Sequence, residues 1–173
     1  NLKSRLKPMS RLQPARGTTD LLPDSMAKHR LVIDTARTAS ACYGFQEMAT
    51  PIFEFSEVFS RPLGESSDIV TKENYSFADR GGEILTLRPE NTAGVVRAMI
   101  SGGLTQSLPL KYFYAGPMFR YERPQKGRMR QFHQVGIEYL GPNDALADAE
   151  IIACGARFLA TLGAVSYTHL TLP

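Results

Sequence analysis

Between Tyr112 and Gly141 the chain reads YFYAGPMFRYERPQKGRMRQFHQVGIEYLG, two stretches of period-two alternation joined by a basic loop. Such alternation marks strands with one buried face, so the segment predicts a β-hairpin. In its first arm Tyr112, Tyr114, Gly116, Met118, Arg120 and Glu122 share a face, and Phe113, Ala115, Phe119 and Tyr121 take the other. In the second arm Phe132, Gln134, Gly136 and Glu138 oppose His133, Val135, Ile137 and Tyr139. Each arm thus has a mostly apolar side to bury and a side carrying charge, amide and glycine. A glycine on a strand face lets something approach the backbone closely. Pro117 has no amide hydrogen for a ladder, which argues against a central first strand and predicts an irregularity there.

The connecting segment holds Arg123, Lys126, Arg128 and Arg130, shaped by Pro124 and Gly127. With Arg120 it counts five basic residues in eleven, against one acid, Glu122. Two readings stand: a solvated hairpin tip, or a platform for a polyanion with carboxylates set beside it for a cationic group. Arginine suits phosphate because its planar fork donates two parallel, charge-assisted hydrogen bonds. The net charge of +3 is too small to mark the whole chain as a nucleic-acid binder, so such a role must rest on local clustering.

At 173 residues, with 43% hydrophobic and 21% charged, the chain fits one soluble domain with a sizeable core. No apolar run approaches the ~20 residues needed to span a bilayer, so no membrane association is expected. The N-terminus has charge and no apolar core, unlike a secretory signal. Cys42 and Cys154 lack metal-ligand spacing and are read as reduced core thiols of a cytoplasmic protein.

Residues 1–13 are basic and irregular, and Arg16–Pro23 (RGTTDLLP) is an ordered lead-in. Asp24 or Ser25 is expected to cap a helix running to about Tyr43, stopped by Gly44. GFQEMATPIFE predicts one short strand ending at Pro51, and residues 54–62 a helical turn stopped by Pro62. The polar run GESSDIVTKE is expected to be mobile. NYSFADRGGEILTLRP predicts a hairpin with strands 74–78 and 83–88. Asn91 or Thr92 should cap a helix from Ala93 to about Ile100, leaving Glu90 and Thr92 where a strand yields to a helix N-terminus. A last helix is expected over 144–162, with Ala147, Ile151, Phe158 and Leu162 on one side. Residues 165–173 fit no preceding pattern and are read as a truncated or artefactual tail. Hairpin-linked strands with packed helices predict an α+β fold built on an antiparallel sheet, occupying residues 14–164.

Elimination narrows the chemistry. There is no GxxxxGK[ST], no GxGxxG after a strand, no HExxH and no Cys/His cluster. His133 lies on the apolar face of its strand, where a satisfied core histidine is the expectation. Arg120 could be a surface ion-pair partner of Glu122 or Glu138, and Glu90 a carboxylate that merely stabilises a helix dipole.

These residues carry a family resemblance. FRYERPQKGRMRQFHQVGIE resembles motif 2 of class II aminoacyl-tRNA synthetases, in the form found in histidyl-tRNA synthetases. LTLRPENTAGVVRA resembles that family's amino-acid-binding turn, with Asn91 where glycine is more usual. YGFQEMATPIFE resembles motif 1 with Pro51 as its proline, and RGTTDLLP the N-terminal signature. The family's later arginine motif, motif 3 and anticodon-binding domain have no counterpart here, so an incomplete catalytic core is expected.

The resemblance implies a chemistry: ATP activates histidine to an adenylate, and the aminoacyl group passes to tRNA(His). By resemblance, Arg120 grips the α-phosphate and the substrate carboxylate. Glu122 meets the adenine amino group, Phe132 stacks on the base and Arg128 contacts the distal phosphates. Glu90, Asn91, Thr92 and Gln134 form the turn and strand around the α-amino group, and Glu138 faces the imidazole. Arg123, Lys126 and Arg130 are candidates for the acceptor end of tRNA, with a solvated loop as the alternative. Mg²⁺ is implied by ATP and a homodimer by the family. Two other readings share the fold: a non-catalytic regulatory subunit of ATP phosphoribosyltransferase, and a module serving only dimerisation or RNA sensing.

Overall fold

The computed structural model describes residues 12–63 and 73–164. Most of the basic N-terminus, most of the polar GESSDIVTKE segment and the 165–173 tail lie outside the described residues.

Helix α1 (Pro23–Cys42) starts with proline at its first turn, where the missing N–H leaves no bond unmade. Leu22 precedes it in extended conformation and no side chain caps it, so neither Asp24 nor Ser25 does so; Asp24 lies in the first turn. The helix stops at Tyr43, and Gly44 follows at φ +78°, the left-handed conformation that glycine adopts freely. Its buried residues are Ala36, Ala39 and Ser40, small enough for close packing.

The single strand expected before Pro51 is two strands in two sheets. β1 (Gln46–Glu47) pairs parallel with a later strand, whereas β2 (Phe53–Phe55) follows Pro51 into the other sheet. Helix α2 (Glu57–Leu63) begins later than expected and includes Pro62. β3 (Tyr75–Ala78) and β4 (Ile84–Leu87) form the expected hairpin, its turn drawn together by Asp79 Oδ1 accepting from the amides of Gly81 (2.8 Å) and Glu83 (2.9 Å). Antiparallel order β2-β4-β3 completes the small sheet. Helix α3 (Thr92–Ser101) and a 3₁₀ turn at Leu104–Ser107 lead to β5 (Leu110–Phe119) and β6 (Gln131–Leu140). Helix α4 (Ala145–Thr161) is capped by Asp144, which accepts from the Ala147 amide at 2.9 Å.

β5 and β6 pair antiparallel without a break from Leu110↔Leu140 to Phe119↔Gln131. The irregularity expected at Pro117 is therefore absent, and β5 is the central strand of the order β1-β5-β6. The reason is parity. Arg120 N donates to Arg130 O at 2.9 Å, so even-numbered β5 residues bond to β6. Odd-numbered ones face the opposite edge, and there the missing hydrogen of Pro117 interrupts nothing in the hairpin.

The two faces of this mixed sheet have different neighbours. Phe113, Ala115, Val135, Ile137 and Tyr139 pack with Ala36, Phe45, Cys154, Ile151 and Phe158 under α1 and α4. On the other face Tyr114 and Met118 pack with Val95 of α3. Cys154 is buried, but Cys42 is exposed, so only one of the two free thiols belongs to the core. His133 is exposed as well, packed edge-on against His29 with ring centroids 4.8 Å apart, and is no core histidine. No helix among the described residues is long and apolar enough to cross a membrane.

Candidate active site

The face of β5–β6 away from α1 and α4 has the predicted composition. Tyr112 opposes Glu138, Tyr114 opposes Gly136, Gly116 opposes Gln134 and Met118 opposes Phe132. The room left by the two glycines is taken by the protein itself. A Cβ at Gly136 would lie 2.4 Å from the Tyr114 hydroxyl, and one at Gly116 would lie 2.4 Å from Arg88 Nη2. The close approach inferred from sequence is real, and its occupants are Tyr114 and Arg88.

Glu138 Oε1 accepts from Thr92 Oγ1 at 2.7 Å and from the Tyr114 hydroxyl at 3.4 Å. Burial raises the Glu138 carboxyl above its usual range against the pull of these two donors, and the charge of Glu90 adds to the rise. Burial, then the Glu138 charge, lifts the Tyr114 phenol to about 12. Gln134 presents a buried Oε1 with no hydrogen-bond partner among the described residues.

Facing the sheet is the N-terminus of α3. Glu90 Oε2 accepts from Thr92 N at 2.5 Å and Oε1 from Ala93 N at 3.0 Å. Glu90 is therefore the capping carboxylate, one residue ahead of the expected cap. Asn91 makes no cap bond; it is 1% exposed, and its Oδ1 accepts from Thr50 Oγ1 at 2.7 Å. Its φ of −116° requires no glycine.

Arg120 lies just past β5. Its Nε donates to Pro89 O at 2.9 Å, and its guanidinium sits 5.1 Å from the Phe132 ring centroid. Among the described residues it forms no ion pair with Glu122 or Glu138. Glu122 is buried and paired instead with Arg128. Arg130 is turned inward: Nε donates to Glu122 O at 3.0 Å and the guanidinium stacks 4.1 Å from the Tyr121 ring. The Arg130 and Gln131 amides donate to Gly17 O, at 2.8 and 3.1 Å, fastening the lead-in to the loop. Gly17 has φ +84°, and a Cβ there would come within 2.7 Å of the Arg130 side chain. Of the three tRNA candidates, only Arg123 and Lys126 are exposed; Arg130 is committed within the protein.

A cavity of about 780 Å³ lies between α2 and α3. Phe55, Val58, Val96 and Ile100 make it largely apolar, and it meets the platform at Glu90 and Thr92. The polar groups that could hold a charged ligand converge on the sheet. Sequence reading missed Arg88 and Tyr114 as parts of this arrangement. Both stood within quoted motifs, but contacts across the fold, invisible in local spacing, give them their roles.

The structure superimposes on apo histidyl-tRNA synthetase from S. aureus with a TM-score of 0.74 at 34% identity, over 88% of this chain and 35% of that one. It matches a Bacillus halodurans protein described as an ATP phosphoribosyltransferase regulatory subunit/histidyl-tRNA synthetase with a TM-score of 0.76 at 27% identity, over 91% of this chain and 39% of that one. The chain belongs to the histidyl-tRNA synthetase family, whose profile matches residues 17–173. It is 61% identical over 164 residues to the histidine–tRNA ligase of Rhodospirillum rubrum, covering 95% of this chain and 40% of that relative. Identity to the Gluconacetobacter diazotrophicus ligase is 62% at the same coverage. The chain thus spans about 40% of the length of these curated relatives.

Proposed function

We propose that this chain is the N-terminal portion of the catalytic domain, residues 14–164, of a cytoplasmic histidine–tRNA ligase. The parent protein would activate histidine with ATP and transfer it to tRNA(His). The observation that carries the reading is the setting of Arg120. Its guanidinium is oriented by Pro89 O and lies on Phe132, on the face that bears Gln134 and Glu138.

Adenylate formation brings a carboxylate to an α-phosphate, two anions that repel. A guanidinium fixed between them lowers that repulsion and counters the charge that shifts as pyrophosphate leaves. Glu138 and Glu90, with the Gln134 oxygen that has no partner among the described residues, suit a ligand carrying an imidazole N–H and an ammonium. A buried carboxylate left unpaired by the wrong amino acid costs several kcal/mol, enough to reject near-isosteres by roughly 10⁴. The adenine pocket would use Phe132 and Glu122. Arg128 would exchange its bond to Glu122 for the distal phosphates, and Arg123 and Lys126 would lie along the acceptor end of tRNA. No group of three or more Asp, Glu, His or Cys ligands occurs among the described residues. Mg²⁺ would be carried on the triphosphate oxygens of ATP, where it would offset the phosphate charge.

The test is histidine-dependent ATP–pyrophosphate exchange by the full-length enzyme carrying this segment. Arg120→Ala should reduce exchange by about 10²–10³-fold or more with unchanged circular dichroism. An unfolded variant would mean that Arg120 is structural. A second reading, a regulatory subunit without catalysis, has a counterpart in the Bacillus halodurans description, but the ligases at 61–62% identity do not favour it. Arg120 and the basic loop favour the enzyme. No exchange, with stimulation of a phosphoribosyltransferase, would establish the alternative.

A homodimer through α1 and the Pro51 segment is supported by the exposed Met26, Leu31, Val32 and Ile52. Sedimentation of the full-length protein as a monomer would contradict it.

A further inference from the structure

We propose that Arg88 is a positioning residue that sets the N-terminus of α3 and Arg120 in register with Gln134 and Glu138. The inference rests on the histidine-activating reading and identifies what holds that site's two halves together. Arg88 directly follows β4, and its backbone already joins two parts of the fold. Its N–H donates to Ile52 O at 2.9 Å, and its carbonyl accepts from Phe119 N at 3.0 Å. Its Nε donates to Pro117 O at 2.9 Å. Along residues 117–119 it thus occupies the place a neighbouring strand would take, on the edge of β5 beyond β1.

The rest of the guanidinium reaches the next two segments. Nη1 donates to Thr50 O at 2.9 Å, to Thr50 Oγ1 at 3.2 Å and to Asn91 Oδ1 at 3.4 Å. Helix α3 rests on the same threonine, because a Cβ at Gly94 would lie 3.1 Å from Thr50 Oγ1. Nη2 stands over Gly116, directly opposite Gln134. One side chain therefore ties β5, the segment after β1 and the first turn of α3. The neighbouring Pro89 carbonyl aims Arg120, and the next residue, Glu90, caps α3.

Arg88 is 6% exposed, and among the described residues its hydrogen bonds all go to neutral oxygens. Burial pulls its pKa below the ordinary value. An apolar residue could fill such a place at lower desolvation cost. What the fork adds is a fixed geometry among three segments, which one lysine ammonium cannot reproduce.

The experiment compares Arg88→Met, Arg88→Lys and Thr50→Val in the full-length enzyme, with histidine and ATP varied separately in the exchange assay. Amide hydrogen exchange is measured alongside. Arg88→Met should lower kcat/KM for histidine about ten-fold or more with the KM for ATP within about two-fold, and Arg88→Lys should recover part of the loss. Exchange of the Thr92, Ala93 and Phe119 amides should quicken about ten-fold while α4 stays unchanged. Thr50→Val should raise the KM for histidine in the same direction, and it decides the matter if Arg88→Met fails to fold. A folded Arg88→Met with histidine kinetics within about two-fold of the parent would overturn the proposal, as would uniform loosening that includes α4. If the parent shows no exchange activity while those three amides loosen in Arg88→Met, the functional reading falls and the joint stands.

Discussion

Glu138 keeps its carboxylate among Tyr114 and Thr92, where burial favours the protonated form. A raised pKa in the folded state contributes stability that is fully present below the ordinary value of 4.5 and is lost as pH rises through the raised value. Glu138→Gln removes this titration while keeping an acceptor for both hydroxyls. The variant should melt above the parent at pH near 8, and the gap should close as pH falls toward 4.5. Calorimetry at several pH values reads this directly; a gap independent of pH would contradict it. On the proposed function, the same change should weaken histidine activation in the full-length enzyme, since it takes away the charge proposed to face the imidazole. At this scale the alternation in sequence was enough to put Phe132, Gln134 and Glu138 on one face. It was not enough for Arg130. Counting charge cannot reveal that this guanidinium folds back to Glu122 O and Tyr121. Nor could spacing reveal that Glu90, not Asn91, supplies the cap of α3.

Helix α4 shields the apolar face of β5–β6 with Ile151, Cys154 and Phe158, and its first turn is held by the side chain of Asp144. Asp144→Ala should cost about 1 kcal/mol of stability, measured by urea unfolding of the full-length protein. A loss under a few tenths would mean that packing alone fixes this end. The bond of Lys111 Nζ to Glu150 at 2.6 Å gives the helix a second tether to β5. Helices α3 and α4 and both hairpins were legible because apolar period and turn residues agree. The segment around Pro51 was not. Two residues of β1 are too few for alternation to register, and their parallel partner lies far along the chain. Proline also misled at both ends of the argument, since Pro62 is accommodated within α2 and Pro117 lies within an unbroken hairpin.

At the scale of the molecule, the described residues form two three-stranded sheets that meet at the end of β4, and the candidate site lies where they meet. The α+β class and the β5–β6 hairpin were readable from sequence because both follow from local pattern. The joint between the sheets was not, because it depends on which edges come together. The chain covers 40% of the length of its histidine–tRNA ligase relatives. Alone, it should show little or no histidine-dependent exchange, and vigorous aminoacylation by the isolated 173-residue chain would refute this. Pro117 has a consequence that reaches past its own strand. A neighbour running on beside β5 after Glu47 would soon meet an imino nitrogen with nothing to offer, so the ladder has no incentive to continue. The polypeptide parts from the large sheet there and crosses to the small one. In this way a single absent hydrogen steers the route along which Thr50 is delivered to the heart of the fold.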